Sequence, residues 1–406
     1  MRISIKKHLL WALFYFLLAT SLGLLLRFYL IHPVPFPYKY LVHAHSHIAL
    51  LGWVYLALTS IIYGLYFNTV ANGKKYRYLF WFTQLTLIGM LVTFPFQGYG
   101  LFSIIFSTLF LLASYWFFWL FATLSGSELK GTPAFICIRM GLWYMVLSSL
   151  GPWALGAIMN TLGPSSPWYR MAIYFYLHFQ YNGWMMMALL GIFLLVLDQN
   201  GHVIQKRVFT KIFWCLNMGI VLSFFLSSLW TKPPWPFYVL GIFGAVLQLV
   251  AFFLLLKWLL PAYRGKGTTK EVTGMGLTLF SLIALKLVLQ LASGFPFVAE
   301  LASTILDFTI GYLHLVFLGI ITPAILMLAK KLEWLTISKW AIRIYLLGFF
   351  GSELLIFYRG FAAWLGGEPI PRHTSLLAGV SGLILVGLWG ILFKNMGLRG
   401  RGVDNG

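Results

Sequence analysis

Charge is what this sequence has least of. Only 9% of its 406 residues are Asp, Glu, Lys or Arg, against roughly 25% in soluble globular proteins, and that excludes a water-soluble fold. Acidic residues are the scarcer sign, nine against 29 Lys and Arg. No basic run reaches the length of a nucleic-acid patch, so no nucleic-acid partner is expected. Cysteine is almost absent: Cys137 and Cys215 both fall near helix ends, so neither disulfide stapling nor a cysteine metal site is indicated. Phosphate-binding loops, nucleophile elbows and paired-carboxylate motifs are missing as well.

What fills the chain is apolar. Hydrophobic residues make up 60% and aromatics 18%, with a mean hydropathy of +0.86. Taking roughly 20 apolar residues per crossing, the sequence predicts twelve membrane spans: 8–30, 42–67, 78–96, 99–124, 134–160, 171–197, 208–230, 236–260, 272–294, 299–328, 337–360 and 373–394. The opening MRISIKKHLLWALFYFLLATSLGLLLRFYL is too long for a signal-peptide core and lacks a small-residue cleavage site, so it is expected to remain as the first span. No linker interrupts the series, and the expected fold class is an all-α integral membrane protein, one polytopic bundle over residues 1–406. Lys and Arg are retained in cytoplasmic loops. With both termini cytoplasmic, 22 of the 29 fall on that side, six (Arg27, Lys39, Arg170, Lys232, Arg359 and Arg372) outside, and Lys286 within a span.

Six of the nine histidines lie in or at the start of even-numbered spans: His43, His45 and His47 in span 2, His178 in span 6, His314 in span 10, and His373 opening span 12. In this topology all six lie toward the outer half of the membrane. An imidazole there either bonds a neighbouring helix or belongs to a site, and for His43 headgroup water is the simpler partner. Comparable depth on three evenly separated spans is what a buried metal or haem site needs. Three more ionisable side chains sit within spans: Lys286, Asp307 and Glu353. Counting inward puts them at similar depth, so Lys286 is expected to pair with Asp307 or Glu353. A structural ion pair and a proton path are both open, since Asp307 precedes His314 by two helical turns.

This pattern resembles the catalytic subunit of the haem-copper oxidase superfamily, a twelve-helix bundle whose ligands come from helices 2, 6, 7 and 10; the NnrS-type haem-copper membrane proteins are similar. The resemblance implies a haem, of b type, held between His47 (or His45) on span 2 and His314 in GYLHLVFLGIITP. It implies a second site where His178, in YLHFQYNGWMM, holds copper, with His43 as a further metal candidate. It also implies that Arg359 and Arg372, in the loop RGFAAWLGGEPIPRH, face haem propionates, a role that suits guanidinium forks. Departures are plain: span 7, VFTKIFWCLNMGIVLSFFLSSLW, has no histidine, span 10 has one, and the family's His-Pro-Glu-Val-Tyr run is replaced by His178, Phe179, Gln180, Tyr181 and Asn182. The implied function is a haem-binding redox protein handling oxygen or nitric oxide, a terminal oxidase or nitric oxide reductase-like oxidoreductase, in the bacterial cytoplasmic membrane with lipid and other respiratory-chain subunits as partners. Two other classes stay open: a twelve-helix secondary transporter, and a non-catalytic membrane subunit of a larger complex.

The charge division makes an expectation that labelling can check. Single cysteines introduced at residues 36 and 365 should react with an impermeant maleimide from outside only, and one at residue 75 from the cytoplasm only. Labelling of residue 365 from the cytoplasm alone overturns the orientation and the common depth of the histidines.

Overall fold

The computed structural model describes residues 4–264 and 270–396. The two chain ends and Lys266, all expected on the cytoplasmic side, lie outside the described residues. Among the described residues the chain is helical, without strands, and twelve helices are long and apolar enough to cross a membrane. They are span 1, Ile5–Phe28; span 2, Tyr38–Tyr66; span 3, Gly73–Gln97; span 4, Leu101–Leu124; span 5, Pro133–Thr161; span 6, Pro167–Gln199; span 7, Lys206–Thr231; span 8, Trp235–Leu260; span 9, Gly274–Ala292; span 10, Leu306–Lys331; span 11, Lys339–Trp364; and span 12, His373–Met396. Helices are what hydrocarbon permits, because every main-chain N–H and C=O must find its partner within the segment.

All twelve expected spans are present with ends shifted by a few residues, and at one boundary the helix itself is broken. Residues 299–305, expected at the head of span 10, form a separate short helix, Pro296–Thr304. The chain then extends at Ile305 (φ −101°, ψ 101°) and restarts at Leu306. The sequence Thr304-Ile305 places two β-branched residues at the break, and Asp307 comes next in the first turn of the new helix, where a carboxylate suits the free N–H groups.

Two compact units divide the chain. The first holds spans 1 to 4, the C-terminal end of span 10 from Ile325, span 11 to Arg359, and span 12. Within it, span 1 lies along spans 2 and 12, with Phe16 stacked on Trp53 at 4.7 Å and 6°. Span 12 meets span 11 at Gly387, where an added Cβ would stand 2.7 Å from the Tyr345 nitrogen and 2.8 Å from the Ala341 oxygen. The second unit holds residues 128–324, spans 5 to 9 with most of span 10, and residues 360–367. Lipid tails are as apolar as leucine, so close approach of small residues and buried hydrogen bonds hold such helices together. Spans 7 and 8 show both. Gly219 faces Gly244, and Gln248 Nε2 donates to the Gly219 carbonyl at 3.1 Å and to Ser223 Oγ at 2.7 Å.

Burial ranks the spans. In spans 2, 6 and 10 the most apolar stretch is 83%, 72% and 67% buried, against 28–61% in the other nine. The three spans with histidines well inside them are therefore the most enclosed. The glycine contacts yield a paired test on one helix. Gly387→Ala should lower stability by about 1–3 kcal/mol, because backbone on span 11 cannot yield to the new methyl. Gly382→Ala, with nothing within 4 Å of the added carbon, should be neutral or stabilising. Thermal unfolding of the two variants in detergent measures the difference.

Candidate functional site

Each of the enclosed spans changes winding at its histidine. His47, His178 and His314 are the residues immediately before π-helical segments Ile48–Tyr55, Phe179–Met185 and Leu315–Ile321. A π turn closes i→i+5 hydrogen bonds, inserts one extra residue, and rotates the next stretch of helix against the stretch before it; such turns are rare and concentrate at functional sites. In all three a glycine stands five residues after the histidine, in HIALLG, HFQYNG and HLVFLG. Gly52 is backed by Tyr15 of span 1, to which an added Cβ would come within 2.8 Å, and Gly183 by Tyr144 of span 5, within 2.6 Å. Gly52 and Gly183 let the widened turn seat against the preceding span. From sequence, Gly52, Gly183 and Gly319 read as close-packing positions alone; the repeated His-x4-Gly spacing is the signal that links them to the histidines.

In the first unit, span 2 presents three imidazoles in different ways. His45 Nδ1 donates to the Ala19 carbonyl of span 1 at 2.8 Å, with its ring over Gly23. His47 Nδ1 donates to the carbonyl of His43, one turn earlier, also at 2.8 Å, and its ring stacks on Phe94 of span 3 at 4.3 Å. A ring nitrogen beside a carbonyl oxygen must carry the hydrogen, so Nε2 of His45 and of His47 keeps its lone pair and is free to ligate. His43 lies against Tyr99, ring centroids 4.6 Å apart. His373 is structural: it is buried, and its Nε2 donates to the Leu355 carbonyl of span 11 at 2.9 Å.

In the second unit, His178 is committed to the protein itself. Its Nε2 donates to the Ile220 carbonyl of span 7 at 2.8 Å, and its Nδ1 accepts from Asn182 Nδ2 at 3.3 Å. Both nitrogens are therefore engaged, which does not fit the metal role expected of His178. No group of three or more His, Cys, Asp or Glu placed to hold a metal ion occurs among the described residues. Copper thus lacks a donor set here, His43 included. Lys286, 3% exposed, continues the chain: its Nζ donates to Asn182 Oδ1 at 2.6 Å and to Gln290 Oε1 at 2.5 Å. Tyr312 OH lies 3.5 Å from the same Gln290 oxygen.

The expected pairing of Lys286 with Asp307 is thereby corrected. The lysine binds two carboxamides, and Glu353 is buried within the first unit. Counting residues placed Lys286 and Glu353 within their spans but set Asp307 too deep, since it stands in the first turn of span 10, and it could not tell which way each side chain points. Asp307 packs its Cβ by Gly360, within the second unit. His314 is part-exposed, and Arg359 ends the span 11 portion of the first unit. Arg372 is exposed, with a left-handed φ of 60° just ahead of span 12. Asn182 and Gln290 are the site residues that sequence reasoning missed; Asn182 with His178 and Gln290 with Lys286, each pair four apart on one span, were visible as neighbours, whereas the contact of Asn182 with Lys286 emerges only from the packing of spans 6 and 9.

Compared with known proteins, the chain matches no protein family and no curated protein. The network can be tested energetically. Asn182→Leu strips one acceptor from Lys286 and the donor from His178 and should cost about 1–3 kcal/mol. His178→Leu should then cost less in that background than in the wild type, with a coupling of roughly 0.5–3 kcal/mol. Additive losses in denaturation of the two single variants and the double would show that the residues do not act as a unit.

Proposed function

We propose that this chain is a haem-binding integral membrane protein, a redox protein of the haem-copper oxidase subunit I kind that handles oxygen or nitric oxide. The observation that supports it most is the state of the span 2 imidazoles. A haem-ligating histidine ordinarily donates its second ring nitrogen to a carbonyl or carboxylate, which fixes its tautomer and orientation. His47 and His45 already have Nδ1 so occupied and Nε2 free. His47 takes the ligand role, since Phe94 stacked on its ring sets the ring plane, while the bond of His45 to span 1 makes it a clasp between helices. The resemblance also names His314, itself at the head of a π turn.

When bound, a b-type haem supplies one-electron and diatomic-ligand chemistry. The chain's own residues would hold it through His47, whose ring the His43 carbonyl and Phe94 orient, and on the resemblance Arg359 and Arg372 would face its propionates. No step is assigned to copper, because His178 has no free nitrogen and lacks partner ligands. Oxidoreductase activity, a bacterial cytoplasmic membrane and respiratory-chain subunits as partners belong to the same proposal.

Optical spectra of the purified protein, oxidised and dithionite-reduced, test it. The wild type should show a Soret band and a low-spin b-type reduced spectrum. His47→Ala and His314→Ala should lose the low-spin signature, and His178→Ala should retain it. Absence of any Soret band in protein produced with ample haem rejects the proposal in favour of a transporter or a cofactor-free subunit. An unchanged low-spin spectrum in a His45→Ala, His47→Ala double variant would reject the ligand assignment alone.

A further inference from the structure

Lys286 is the most enclosed charge in the second unit. Its Nζ sits among neutral groups: Asn182 and Gln290 accept from it, and the remaining polar side chains of the cluster are His178 and Tyr181 on span 6 and Tyr312 on span 10. Among the described residues no carboxylate pairs with it. An ammonium has three N–H groups, and two are used. Gln290 is oriented by this contact, because the lysine donates and so must face the amide oxygen; the NH2 arm is left over. That arm, Gln290 Nε2, is fully buried with no hydrogen-bond partner, in a residue only 6% exposed. A buried donor without an acceptor is costly to maintain, and so is a buried charge without a counter-charge. Here the two deficits are in adjacent side chains four residues apart on span 9, and both are deficits of the same kind: each calls for an acceptor, and together they call for a negative one.

We infer that Lys286 and Gln290 form a binding site within the membrane for a small monovalent anion, which takes the third N–H of Lys286 and the free NH2 of Gln290 and balances the lysine charge. Asn182 and His178 are positioning residues. The donor sequence runs one way, from Lys286 to Asn182, from Asn182 to His178, and from His178 to the Ile220 carbonyl, so the imidazole remains neutral and adds no acceptor that would compete with the anion. The single lysine limits the occupant to one charge, as in chloride, bromide or nitrite. The inference does not depend on haem and stands or falls independently of it.

Bromide is a suitable probe, since it scatters anomalously and is a poor ligand for haem iron. In detergent at constant ionic strength, replacing gluconate with bromide should raise the unfolding temperature of the wild-type protein saturably. Lys286→Met should abolish the saturable rise, Gln290→Leu should weaken apparent affinity at least tenfold, and Lys232→Met, which breaks an exposed pair with Glu300, should leave it unchanged. An anomalous peak should lie within hydrogen-bond distance of both Lys286 Nζ and Gln290 Nε2 in bromide-grown crystals. If Lys286→Met does not fold, Gln290→Leu and the anomalous map decide. No saturable rise in the wild type, an equal rise in Gln290→Leu, or a peak only elsewhere overturns the site.

Discussion

Hydrocarbon cannot solvate a polar group, and nearly every feature of this protein derives from that. Main-chain groups are satisfied inside helices, and side-chain polar groups must find one another across them. Departures from regular helix are consequently few and expensive. It is against that background that three π turns, each placed directly after a histidine and each with a glycine five residues on, carry meaning. A π turn loosens main-chain hydrogen bonding in a setting where no water can repair it, so it persists where packing favours it. Tyr15 against Gly52 and Tyr144 against Gly183 provide that packing.

The same constraint separates the histidines by role. His45, His178 and His373 spend a ring nitrogen on the main chain of a neighbouring span, at Ala19, Ile220 and Leu355. They join helices. His47 spends one on its own helix and keeps the other free. Of these four, His47 alone makes no such hydrogen bond to a second span, and this distinguishes it within a set that otherwise looks uniform.

Lys286 illustrates the other side of the rule. A lysine within a span invites a carboxylate partner, yet the ammonium rests on two amide oxygens. Carboxamides offer acceptors without offering charge, so they fix the lysine's position and leave its charge to be balanced by something else. A full salt bridge would have closed the site; the amides keep it open. That choice makes the Asn182 and Gln290 side chains as important to the region's chemistry as the lysine itself.

Residue order alone determined the twelve crossings, because the cost of unsolvated backbone and charge is local and sums along the chain; one boundary, at Ile305, escaped because apolar composition continues through a break in the helix. The placement of His47, His178, His314 and Lys286 within spans came from the same counting, whereas Asp307 stands at the head of its helix. Which way those side chains face was decided only by the tertiary structure, for two physical reasons. Spans in lipid are apolar on every face, so no hydrophobic stripe marks the inward side. And a π turn shifts the angular count by a residue, so that positions before and after Gly52, Gly183 and Gly319 no longer share the faces a regular helix assigns. Hence Asn182 meets Lys286, and His178 turns to Ile220 and away from a metal, neither of which spacing could disclose.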